Sequence, residues 1–108
     1  MKTVDSEKIA SCVQECFMLS LDDRLTIDEQ KQMNVLGKRL RGHLINLLSA
    51  TFDDGVKEVE AANKQLQAVN QQLSDTNEVI NKVAATVKTV TKLVQTLDNL
   101  LTMVARFV

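Results

Sequence analysis

The chain has 108 residues, enough for one domain with a thin core, and its 44% hydrophobic and 25% charged content lies in the globular range. It has no Pro, Trp or Tyr and only three Gly and three Phe, so it lacks the turn residues that an all-β sandwich or barrel needs about every 8–12 positions. The net charge of −1 predicts no strong general attraction to nucleic acid, although residues 1–78 carry 9 basic and 13 acidic side chains while residues 79–108 carry 4 and 1.

Met1–Lys8 holds no apolar core of a secretory signal. Asp5 is placed to cap a first helix over residues 6–20, with Glu7 in its first turn facing the positive end of the helix dipole. Ile9, Cys12, Val13, Cys16 and Phe17 recur at threes and fours, so one face of this helix is apolar. Cys12 and Cys16, four apart on that face, do not suit a disulfide and fit a reducing compartment.

Leu21–Arg24 reads as a link. Thr26 followed three residues later by Glu29 is a capping-box pattern and predicts a second helix over 27–51. Its stripe is Met33, Leu36, Leu40, Leu44, Leu47 and Leu48, widened by Val35 and Ile45. Gly37 and Gly42 within it mark either close helix approach or simple tolerance. Phe52–Gly55 is the strongest local break, with Asp53 or Asp54 as cap of the next helix. A helical hairpin is favoured there over one unbroken helix from Ile27 onward.

From residue 55 to 106 the pattern predicts one long helix. Val59, Ala62, Leu66, Val69, Leu73, Thr76, Ile80, Val83, Val87, Val90, Val94, Leu97, Leu101, Val104 and Val108 follow one another in steps of three and four. This spacing excludes a strand despite the many Val, Ile and Thr, because strands need a period of two. About 50 helical residues would make a rod about 75 Å long. Ser74–Glu78 resembles a cap and leaves room for a hinge near 75, but the uninterrupted heptad phase argues against a full turn there. A repeat of seven places Asn63, Asn70 and Asn77 beside the seam, facing water or bonding across a helix interface, with water the favoured reading.

The resulting fold class is all-α, a single helical domain over 1–108 with two shorter N-terminal helices and one long heptad-patterned C-terminal helix. The second seam column is mostly Val (Val69, Val83, Val90, Val104), where a parallel two-stranded coil prefers Leu, and this disfavours such a coil. A third column, Val79, Leu93, Leu100 and Phe107, broadens the stripe as in a bundle. The two short helices cover only part of the long one, so the expected remedy is a homo-oligomer, an antiparallel dimer first. Its interaction seam is Leu66, Val69, Leu73, Ile80, Val83, Val87, Val90, Val94, Leu97, Leu101 and Val104.

Site chemistry is sparse. The single His43 cannot complete the Glu-x-x-His pairs of a di-iron bundle, and Cys12, Cys16 and His43 lack zinc-ligand spacing. No phosphate loop, dinucleotide glycine pattern or nucleophile elbow occurs. The expectation is therefore no enzyme, no cofactor and no metal. Lys38, Arg39, Arg41 and His43 form a small basic cluster, read as the water side of the second helix.

The leading functional expectation is a cytoplasmic, non-catalytic self-association and protein-interaction module of scaffold or adaptor type. The alternative is a membrane-surface helix over 79–108 with Lys82, Lys88, Lys92 and Arg106 on its polar side. A second alternative is a small nucleic-acid-binding regulator.

Overall fold

A computed structural model describes residues 1–104. The expectations for Arg106, Phe107 and Val108 lie outside the described residues. The chain is all-helical, with four helices: α1 (Ser6–Ser20), α2 (Ile27–Leu47), α3 (Lys57–Glu78) and α4 (Val83–Leu101).

Local chemistry explains the first two helix starts. Asp5 accepts from the Lys8 amide at 3.2 Å. At α2 the Thr26 hydroxyl accepts from the Glu29 amide and the Glu29 carboxylate accepts from the Thr26 amide, which satisfies two otherwise unpaired donors reciprocally. The start of α3 differs from expectation. Its N-cap is Val56, with no side-chain capping bond, and Asp53 instead closes the preceding turn by accepting from the Val56 amide through its backbone carbonyl.

The single long C-terminal helix is corrected to two. The chain leaves α3 at Val79 in an extended conformation and re-enters a helix after Lys82, whose φ of 57° is left-handed. The molecule is 48 Å in its longest dimension rather than a rod of about 75 Å. Two interactions hold the reversal. The buried Thr76 and Thr86 hydroxyls meet at 2.9 Å, with Thr76 also donating to the Gln72 carbonyl and the Gln72 amide reaching Thr86. Arg24, from the α1–α2 link, donates to the last carbonyls of α3, at 2.7 Å to Asn77 and 3.4 Å to Glu78. A cation there satisfies orphan carbonyls and complements the negative end of the helix. Asp22 fixes the guanidinium through contacts of 2.6 and 3.0 Å.

Each helix touches two others. α1 packs on α2 and α3, and α4 packs on α3 and α2, so α1 faces α4 and α2 faces α3 across the diagonals of a four-helix bundle. Asp5 bonds Asn63 and Glu15 bonds Asn77, so α1 and α3 run parallel. Val35 shares a depression with Val87 and Thr91, and His43 meets Val94 further along, so α2 and α4 are parallel too. The α2–α3 connection passes under one end, where Phe52, fully buried, exchanges two backbone hydrogen bonds with Lys2.

Two of the three repeat asparagines bond across the α1–α3 interface, against the solvated reading. Asn63 accepts from the Asp5 amide at 2.8 Å and donates to the Thr3 carbonyl, and Asn77 donates to the Glu15 carboxylate. The glycines divide. A Cβ at Gly37 would lie 3.0 Å from the Phe17 ring, so this is a close approach, whereas Gly42 faces open space.

Candidate interaction surface

The predicted seam is spent inside the chain. Leu66, Val69, Leu73, Val83, Val90, Val94 and Leu97 are buried among the bundle's own helices, while Ile80, Val87, Leu101 and Val104 lie at its edge, half-buried. Each buried aliphatic side chain contributes roughly 1.5–3 kcal/mol relative to exposure, and closing the bundle covers most of this stripe within the chain. The stripe of α4 is also rotated from expectation. Thr86, Leu93 and Leu100 are buried at its centre and Val87 is displaced to the rim, because α4 must face both α2 and α3. Leu93 and Leu100 belong to the third column read from the sequence. Thr86 carried no signal beyond its place between Val83 and Val90.

The titratable groups that might support chemistry are locked in packing. Cys12 and Cys16 are buried free thiols, and burial, reinforced by nearby negative charge, pushes both up to about 12. They are protonated at neutral pH and poor as nucleophiles or metal ligands. Among the described residues no three His, Cys, Asp or Glu side chains are grouped as a metal site. The basic cluster of α2 is dispersed rather than lying together on the water side. His43 is buried against α4, with Nε2 3.0 Å from Asp98 Oδ1 and 3.3 Å from the Val94 carbonyl. Arg39 pairs with the other Asp98 oxygen at 2.9 Å. The Arg41 guanidinium lies 5.7 Å from the centre of the Phe17 ring, a cation–π contact between α1 and α2.

What remains exposed is an apolar surface the sequence assigned to the core. Val35 and Ile45, expected to widen the buried stripe of α2, are 57% and 69% exposed, and Leu48 is 65% exposed. The stripe is narrower because α2 has two helical neighbours and Met33, Leu36, Leu40 and Leu47 suffice to meet them. Val35 lies in a trough formed by three adjoining depressions. One contains Leu21 and Ile27, the central one of about 330 Å³ lies between α2 and α4 over Leu36 and Val87, and the third runs along α4 past Val87 and Thr91.

Lys31 borders the first two depressions, Lys88 and Lys92 border the third, and no carboxylate lines any of them. Parallel pairing of the helices also separates charge across the bundle. α1 and α3 together carry six acidic and three basic side chains, while α2 and α4 carry three acidic and six basic. Among the described residues no helix is long and apolar enough to cross a membrane. Compared with known proteins, the chain matches no family model, no curated protein and no solved structure.

Proposed function

We propose that this chain is a non-catalytic helical interaction module of scaffold or adaptor type whose working side is the α2–α4 face. The observation that carries this reading is the trough around Val35 and Val87, where half-exposed and exposed aliphatic side chains adjoin lysines on a rigid helical platform. Contiguous apolar surface with a polar rim is the usual mark of a binding face. The rest of the chemistry supports binding over catalysis, since the thiols are held protonated and the one histidine is occupied by Asp98 and Val94.

Self-association enters this proposal in altered form. Most of the seam of residues 66–104 is engaged within the bundle, and on this reading an antiparallel homodimer would use the α2–α4 face. Two copies of that face bring lysine against lysine, which disfavours the symmetric pairing. A partner of different sequence is therefore the favoured form of the module. The membrane-surface alternative gains nothing, because the apolar stripe of α4 faces the bundle interior and Asp22, Asp23 and Asp28 flank the exposed Leu21 and Ile27.

The test is affinity capture from the native cell with the whole chain and with Val35→Asp, Val87→Asp and Ala68→Asp variants. Ala68 is exposed on α3, away from the trough. Circular dichroism verifies each fold, and light scattering measures mass. The expected result is a bound protein retained by the native chain and Ala68→Asp and lost by Val35→Asp and Val87→Asp. Identical capture by all four folded chains refutes the proposal.

A further inference from the structure

The interaction-module reading leaves open what chemistry the trough would accept, and the inference drawn here rests on that reading. We propose that the trough between α2 and α4 receives an acidic amphipathic helix of a partner protein.

Shape comes first. The depressions share residues end to end, Lys31 and Val35 joining the first to the second and Val87 and Thr91 the second to the third. The central one is a groove between the parallel α2 and α4, and the first and third extend it onto the α1–α2 end and the outer side of α4. A groove of this kind takes a helix laid along it, with apolar anchors at i, i+3, i+4 and i+7. An extended strand would gain nothing from it, because α2 and α4 satisfy their backbone groups internally and offer no sheet edge.

Charge selects the occupant. Lys31, Lys88 and Lys92 stand along the path, and among the described residues none of the three is in an ion pair. Asp98, the one carboxylate on α4, is already held by Arg39 and His43. The outward face of α4 therefore presents cation without counter-charge. By contrast, the polar groove between α1 and α3 contains Glu15, and the depression at the α3–α4 turn contains Asp75 and Glu78. The central and α4 parts of the trough, around Val87 and Thr91, are thus the ones of these depressions built for an anionic ligand with an apolar side, while Asp22, Asp23 and Asp28 lie beside the first part. Carboxylates flanking an apolar stripe would meet the lysines at the rim while aliphatic side chains cover Val35 and Val87. Such rim charges act mainly on selectivity and association rate, and the apolar anchors supply the hold.

The experiment uses the whole chain and two synthetic helical peptides with the same leucine stripe. One is flanked by glutamates and the other by lysines. Binding is followed by fluorescence anisotropy, and the bound surface is mapped by amide chemical shifts. The expected result is saturable binding of the glutamate peptide with shifts centred on Val35, Val87 and Thr91, and binding weaker on the order of tenfold or more for the lysine peptide. Lys88→Glu with Lys92→Glu is expected to reverse the preference, and Val35→Asp to abolish binding while the fold is retained. Equal binding of both peptides, no binding of either, or shifts centred on α1 and α3 would overturn the proposal. So would preferential binding to phosphatidylserine vesicles, or a concentration-dependent doubling of mass that excludes the peptide. Failure here leaves the broader reading standing if cellular capture still depends on Val35. Loss of that dependence removes both.

Discussion

Replacement of Lys82 by glycine distinguishes two folded helices from one continuous helix by the sign of its effect. Lys82 sits at φ 57° and ψ 40°, the left-handed region, where a non-glycine residue bears roughly 1–2 kcal/mol. Its side chain is exposed and in no ion pair among the described residues, so truncation removes little in the folded state. Its carbonyl, which accepts from the Ala85 and Thr86 amides, is unchanged by the substitution. Glycine returns about 0.4–1 kcal/mol to the unfolded chain as extra conformational freedom. The net expectation is stabilisation by about 0.5–1 kcal/mol, a rise in Tm of about 2–8 °C for a domain of this size. In an unbroken helix the same change would cost about 0.7 kcal/mol and lower the Tm by a similar amount. Thermal unfolding followed at 222 nm decides the sign. Lys82→Ala, which keeps the left-handed strain, serves as the control and is expected to leave the Tm nearly unchanged. A fall in Tm for Lys82→Gly would refute the reversal at residues 79–82 and the bundle built on it.

The two glycines of α2 are expected to respond oppositely to alanine. Gly42→Ala meets open space and should add about 0.5–1 kcal/mol, whereas Gly37→Ala presses on the Phe17 ring and should cost about 1–2 kcal/mol after its helix-propensity gain, both readable by chemical denaturation. The second cost should largely disappear in a Phe17→Leu background. The Arg24 guanidinium hydrogen-bonded to Asp22 holds that carboxyl at about 2, below the usual aspartate range. Because this pKa is lowered on folding, its stabilising contribution is present above about 3.9 and lost as the pH falls through about 2. A carboxyl carbon titration by NMR should show that low midpoint and its return toward the ordinary value in Arg24→Gln. A native midpoint near 4 would contradict the Asp22–Arg24 clamp.

Three of the four helices announce themselves through local chemistry. The Thr26–Glu29 capping box specifies where α2 begins, Asp5 does the same for α1, and the stripe from Val59 onward specifies α3, because caps and amphipathic spacing are properties of a few adjacent residues. The reversal at Val79–Lys82 was invisible to spacing. Seven residues separate Thr76 from Val83, two helical turns, so the apolar phase runs through the turn unchanged. The group that ends α3 is also remote, since Arg24 reaches Asn77 from the α1–α2 link, 53 positions earlier in the chain.

Amphipathicity determined by itself that this chain is helical and that residues 59–101 must hide one face. How that face is covered within the chain, by α1 and α4 over α3 and by α2 and α3 over α4, was decided only in three dimensions. Packing also chose which apolar side chains were superfluous. Once Met33, Leu36, Leu40 and Leu47 had filled the space beside α2, Val35 was left at the surface next to Val87, where the trough lies. Hydrophobicity is a property of each residue, but burial depends on how many neighbours the fold can bring to it.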